Sequence, residues 1–335
     1  MTRITQLLHI TSALALLSGF ASAQEHRIEI SLETAPSHIR NIMVSEYAEV
    51  LEDASNGALE VVVYHAASKY AGSKVPIALA QGALDMGLPG TWHMGSILPE
   101  FNLPGLPLFY GRPREEQYAV WDGEIGQDMA RRLEEKLGVK VIGRWIDLGY
   151  GQMFFVDDAV ASHADLAGLK LRAPGGAANI ARYESFGATA IAMGWGDVPQ
   201  ALQRGTVDGL LTTHEAVRSA KLWDSGLKHV FDDNQTFFQY VPMMSKQAWD
   251  ELPEALQELV VDTWDASVDE YRIRAKNAQI EARDVNSQNG INRIEASPVA
   301  IEDMRSKLME KQQALIADLG IDPVVVADSQ RVLEK

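Results

Sequence analysis

The chain has 335 residues, no cysteine and a formal charge of −16. That length allows about two domains with ample core, and the missing thiols exclude disulfide staples, thiolate metal sites and cysteine nucleophiles. The acidic balance, with no dominant basic face, argues against a nucleic-acid partner.

Taken in chain order, the first residues carry Arg3, an apolar run from about Leu7 to Phe20, and Ala21-Ser22-Ala23. A basic start, an apolar run too short to span a bilayer and an A-x-A site read as an export signal over residues 1–23. A buried core helix is the alternative. Gln24 would then begin the mature chain, and an exported, cysteine-free globular protein suits a bacterial periplasm. The stretch "HRIEISLET" places Ile28, Ile30 and Leu32 on one face, as a strand does. A helix with Met43, Tyr47, Val50 and Leu51 near helical spacing follows, stops at Ser55-Asn56-Gly57, and leads to a second strand, "LEVVVYH". This is the β-α-β unit of a parallel sheet.

A weak internal repeat sharpens the architecture. "ALAQGALDMGLPGT" (78–91) and "ALQRGTVDGLLTT" (201–213) share Ala-Leu, a glycine three residues on, an aspartate three beyond it, and an apolar run. Each reads as a helix end, a glycine cap and a short buried strand. Chance similarity between two helix-to-strand corners is the competing explanation. A real repeat means two similarly built lobes, each delivering a residue, Trp92 or Thr212, to a matching edge. "LGVKVIGRWIDLGYGQ" (137–152) and "QTFFQYVPMMS" (235–245) read as strands crossing between the lobes, and paired crossings make a hinge. Residues 255–288 lack internal proline and glycine, predicting one unusually long helix. Another is expected near 301–319, ending at Gly320.

No catalytic constellation is present. G-x-S-x-G is absent, so an α/β-hydrolase lacks its nucleophile elbow. His214-Glu215 supplies only the first half of H-E-x-x-H, and no phosphate loop occurs. The eight histidines are scattered, which gives no metal site, and no cofactor is expected. Polar and aromatic groups at strand ends remain, where open α/β sheets bind ligands. Arg172 ends the strand of "DLAGLKLRAPGG", and its planar fork matches a carboxylate; a salt bridge would also account for it. Trp195 sits between two glycines, which suits a ring stacked on a ligand as well as a core position. Thr212 ends the strand of the repeat, and Thr212 or Thr213 also fits a helix cap. Glu33 and His38 bracket the loop after the first strand. Trp92 and His93 follow the first copy of the repeat. Tyr150 and Gln152 lie on the crossing strand, and Glu215 follows Thr212.

With these residues in place the chain resembles the substrate-binding proteins of tripartite ATP-independent periplasmic (TRAP) transporters, of the DctP type. The matching stretches are "FNLPGLPLFYG", "DLAGLKLRAPGG", "FGATAIAMGWGDVPQALQRGTVDGLLTT" and "VPMMSKQAWDELPEALQELV". The resemblance implies an α/β, two-lobed periplasmic binding protein fold. Two open sheets are flanked by helices and joined by two crossover strands, and a long helix spans both lobes. One lobe would comprise 24–149 with about 238–277, the other about 150–237 with 278–335. It further implies a solute receptor that delivers its ligand to TRAP membrane subunits. In such a receptor Arg172 pairs with the substrate carboxylate, Trp195 packs on the ligand, and Thr212 stands where the family often has Asn. The second basic residue common on the crossover is missing at 149–152, which favours a monocarboxylate or a zwitterion. For a zwitterion, Glu33, Glu215 and the aromatics would face the ammonium group. Two rivals remain at this level: an exported hydrolase or lyase using His38 with Glu33, and a periplasmic ligand sensor.

Overall fold

The computed structural model describes residues 26–157 and 159–335; the expected export signal at 1–23 lies outside them. The described strands form two sheets. The first runs in the order β2 (Leu59–Tyr64), β1 (His26–Ser31), β3 (Met86–Gly87), β10 (Met243–Ser245), β4 (Val139–Val141). Here β1 is parallel to β2 and β3, and β10 is antiparallel to both its neighbours. The second runs β11 (Asn292–Glu295), β9 (His229–Tyr240), β5 (Ile146–Phe155), β8 (Gly209–Thr212), β6 (Lys170–Ala173), β7 (Thr189–Ala192). Its β6 is parallel to β7 and β8, while β5 is antiparallel to β8 and β9.

The internal repeat is a repeat of structure. Helices Val75–Ala80 and Val198–Gln203 both give way to a left-handed glycine, Gly82 and Gly205. An aspartate then enters the strand in each copy. Asp85 Oδ2 accepts from Glu29 N at 2.8 Å, and Asp208 Oδ2 accepts from Lys170 N at 2.7 Å. Each aspartate thus fastens its own strand (β3 or β8) to the parallel neighbour (β1 or β6). The two sheets thereby present equivalent strand ends to each other.

The chain leaves the first sheet after β4, enters the second at β5, and returns between Tyr240 of β9 and Met243 of β10. The expected single strand over 137–152 is divided at 142–145. The cause is local: a Cβ on Gly143 would lie 2.5 Å from Trp264 Cδ1, and Trp264 Nε1 donates to Arg144 O at 2.9 Å. Trp264 belongs to the helix Glu254–Gln288, about 52 Å long at 1.5 Å per residue. Its buried stripe recurs at helical spacing from Val260 through Val268, Ala275 and Ala282 to Asn286. Near one end Val260 O accepts from Tyr47 OH, on the helix Ile39–Ala54 of the first-sheet half. Near the other Asn286 Nδ2 donates to His214 O in the second-sheet half. One long helix therefore braces both halves.

Two expectations need correction. Val50 does not join the buried face of its helix but is 52% exposed. The expected assignment of 278–335 to the second lobe fails at its end. Helix Pro323–Leu333 packs on helices Arg114–Trp121 and Glu124–Leu137 of the first-sheet half. There Ile321, Val325, Val326 and Leu333 share a core with Trp121, Met129 and Leu133, because that apolar stripe needs a partner face. The preceding helix, Pro298–Leu319, ends at left-handed Gly320 as expected.

Candidate functional site

Between the two sheets lies a cleft with about 390 Å³ of space between atoms. Its walls come from the carboxyl ends of β1, β6 and β8, the turn after β3, the turn before helix Val198–Gln203, and β9 beneath. Glu33, His38, Trp92, Arg172, Trp195 and Thr212 all line it. Leu148, Pro174, Leu211, Phe238 and Tyr240 supply most of the apolar surface. Six of the nine residues picked from the sequence therefore converge on one space.

Arg172 is 4% exposed. Its Nε donates to Met193 O at 3.0 Å and its Nη1 to Leu211 O at 3.3 Å, and its guanidinium carbon stands 5.7 Å from the Trp195 ring centroid. Among the described residues no carboxylate lies within 4.0 Å of it. Burial pulls its pKa down to about 10, against the opposing field of Glu33. The contrast with Arg182 is informative. That guanidinium is also buried, yet its pKa is raised: the fields of Tyr110, Tyr183 and Asp233 outweigh burial. Arg182 does not line this cleft, its Nη1 donating to Thr236 Oγ1, whereas Arg172 lines the cleft itself. A buried cation without an anion is costly.

Glu33 faces Arg172 across the cleft. No described donor bonds its carboxylate, and its nearest cation contact is Arg40 Nη2, 4.0 Å from Oε1. Gly72 makes room for it, since a Cβ there would come within 2.3 Å of Glu33 Oε2. Arg40 is the residue the sequence reading missed. It is 2% exposed, donates from Nη2 to Thr34 Oγ1 at 3.0 Å, and lies 4.1 Å over the Tyr240 ring. Its signal was available: a cation on the same helical stripe as Met43, Val44 and Tyr47.

His38 caps the helix Ile39–Ala54, its Nδ1 accepting from Arg40 N at 3.2 Å. Its Nε2 stands 3.1 Å from Glu215 Oε2, although the angle is too poor for a directed hydrogen bond. Burial, helped by Arg40 and Arg218, holds its pKa well below the usual histidine value. With one ring nitrogen capping a helix and the other against Glu215, His38 has none left to work on a ligand with Glu33. Trp92 donates from Nε1 to His93 Nε2 at 2.9 Å and meets Phe238 and Tyr240 edge-on. Burial drops the His93 pKa to about 4, so this ring is a neutral support. Thr213, not Thr212, is the helix cap, its Oγ1 accepting from Ala216 N at 3.2 Å.

Three expected site residues are committed elsewhere. Gln152 Oε1 accepts from Asp233 N and Asn234 N at 2.9 and 3.0 Å, and its Nε2 donates to Asn234 Oδ1. It is spent on the irregular pairing of β5 with β9. Tyr150 donates its hydroxyl to Arg112 O at 2.6 Å and packs on Phe237. Glu215 lies fully buried behind His38, where it bridges the two halves: Oε1 accepts from Ile39 N and from Arg218 Nη2, each at 3.1 Å.

The profile of the bacterial extracellular solute-binding protein family 7, DctP, matches residues 30–318. The chain belongs to this family. It is 28% identical over 241 residues to a solute-binding protein of Verminephrobacter eiseniae, covering 72% of this chain and 71% of that protein. The C4-dicarboxylate-binding periplasmic protein DctP of Rhodobacter capsulatus is 29% identical over 75% of this chain and 74% of its own. The fold matches that of the sugar acid binding protein DctPAm of Advenella mimigardefordensis, solved with galactonate. The TM-score is 0.86 at 19% identity, over 93% of this chain and 99% of that one. As a DctP-family, TRAP-type solute-binding protein, the chain is a transporter's receptor rather than an enzyme, which removes the hydrolase and lyase reading. Among the described residues no helix is long and apolar enough to cross a membrane.

Proposed function

We propose that this receptor works in the periplasm, captures a small organic acid between two lobes, and delivers it to the membrane subunits of a TRAP transporter. The observation that carries the reading is Arg172: a buried guanidinium, unpaired by any described carboxylate, in the wall of an interlobe cleft. A substrate carboxylate supplies the missing anion through a forked pair, with Trp195 flanking it. Two buried arginines, Arg172 and Arg40, share the region with Glu33, and burial keeps much of Glu215 protonated near neutrality, its pKa pushed up to about 7. That balance favours a ligand with one net negative charge. Glu33 offers the cleft a carboxylate that no described donor hydrogen-bonds, and so invites a hydroxyl on the same ligand. Relatives take acids of different sizes: the Rhodobacter protein is named for C4-dicarboxylates, and the Advenella protein was solved with galactonate. Ligand binding would draw the lobes together about the two crossings near 142–145 and 240–243.

The test is a thermal-shift and calorimetric screen of hydroxy acids, sugar acids and amino acids, repeated with Arg172→Ala. Loss of the clamp should weaken binding by about 2 kcal/mol or more, about 30-fold in Kd. Unchanged affinity in Arg172→Ala, or a best ligand lacking any acidic group, overturns the reading.

A further inference from the structure

A second, narrower hollow lies beside the first, also between the halves. Trp92 lines both. The floor is continuous, since β9 supplies Phe238 and Tyr240 to the first cavity and Thr236 and Phe237 to the second. On the opposite wall Pro174 faces the first and Gly176 the second. Trp92 is therefore the element that stands between them. It is held on every side: by Phe238 and Tyr240 edge-on at 4.8 and 5.1 Å, by the hydrogen bond to His93, and by the glycine turn, where a Cβ on Gly176 would lie 2.9 Å from Trp92 Cβ. The second hollow is not simply an apolar packing gap. Asn102 and Asn179 line it from opposite halves, and each leaves a buried Oδ1 without a hydrogen-bond partner.

We propose that Trp92 is a fixed partition that sets the length of the acid this receptor accepts, its indole filling the space through which the tail of a longer acid would reach the hollow beyond. The proposal rests on Arg172 as the carboxylate anchor. With the head of the ligand fixed there, chain growth toward Gly176 meets the indole, and Asn102 and Asn179 wait beyond it as acceptors for hydroxyl donors. Removing the indole joins the two spaces. One added group in a fitted pocket changes discrimination about 10–200-fold.

Calorimetry on the full chain with D-glycerate and D-gluconate tests this in wild type, Trp92→Ala, and Trp92→Ala with Asn179→Ala. The expected result is an affinity gain for gluconate of about tenfold or more in Trp92→Ala, no comparable gain for glycerate, and loss of the gluconate gain in the double variant. No gluconate gain in a folded Trp92→Ala, or an equal gain for both acids, overturns the partition. If circular dichroism shows Trp92→Ala unfolded, Trp92→Phe replaces it, with a smaller gain in the same direction required. Adding Arg172→Ala separates the two readings. A gluconate gain that survives it would reject the anchor and keep the partition. No gain in Trp92→Ala with Arg172 intact, while glycerate binding by the otherwise wild-type chain is lost in Arg172→Ala, would reject the partition and keep the receptor.

Discussion

The Glu215→Gln variant probes the contact that joins the two halves behind the cleft. Glu215 caps the first turn of the helix Ile39–Ala54 from the opposite half, through Ile39 N at 3.1 Å. Arg218 and His38 approach the same carboxyl, and Gln279 of the long helix accepts from Glu215 N at 2.9 Å. Burial raises the carboxyl from its ordinary 4.5 to about 7, with the Ile39 amide, Arg218 and Arg40 pulling the other way. The folded state thus holds this proton more tightly than the unfolded chain does. Its contribution is complete below about pH 4.5, falls as pH rises through about 7, and is gone above that. At 1.36 kcal/mol per unit the swing is about 3 kcal/mol. For a chain of this length, with an unfolding entropy of about 2.1 cal/mol/K per residue, that is about 5 °C in Tm. Thermal melts of wild type and Glu215→Gln at pH 5 and pH 8 isolate the group, because the amide still offers Ile39 N an acceptor. Wild type should lose about 4 °C relative to the variant between the two pH values, since at pH 5 a part of the swing is already spent. A difference that stays constant, or that moves in favour of wild type at pH 8, refutes the reasoning.

Three further outcomes follow from individual contacts. Arg172→Lys should bind the acid at least about tenfold more weakly than wild type by calorimetry, because an ammonium lacks the planar fork while keeping the charge. Asp147→Ala should cost about 3–5 kcal/mol in urea denaturation: the buried carboxylate takes Arg114 at 2.7 Å, Tyr118 at 2.5 Å and Gly149 N at 2.8 Å where β5 begins. Gly176→Ala should cost about 1–3 kcal/mol in the same assay, since φ is +82° and the new Cβ would crowd Trp92.

What the sequence disclosed and what it withheld divide along physical lines. The repeat and the long helix are local patterns, and each appears where its pattern lies; the crossings pass between the sheets where expected, but each is broken at the passage, at 142–145 and 241–242. Arg172 was legible because a strand that ends on a cation just before Pro-Gly-Gly is locally odd. The structure accounts for both oddities: the cation is left unpaired in the cleft wall, and the glycines hold left-handed backbone while letting Trp92 approach. Gln152 and Tyr150 misled because strand alternation predicts facing only in a regular ladder. The shift in β5–β9 pairing between Gly151 and Met153 sends Gln152 to the backbone of Asp233 and Asn234. No one-dimensional pattern shows such a bulge. Glu215 misled differently, since its position after the Thr212 strand end is right but the helix begun by Thr213 carries its side chain behind His38. Arg40 was overlooked because a charge on a helix is usually read as its wet face. Its place in the buried stripe was the better guide: a cation that a helix turns inward must answer to an anion or a ring. Here it answers to both, Glu33 at 4.0 Å and the Tyr240 face at 4.1 Å. Applied to Arg172, the same criterion finds a ring, Trp195, and no described carboxylate. That asymmetry between two buried arginines, of which Arg172 lines the cleft, is what supports the proposal that Arg172 meets the acid.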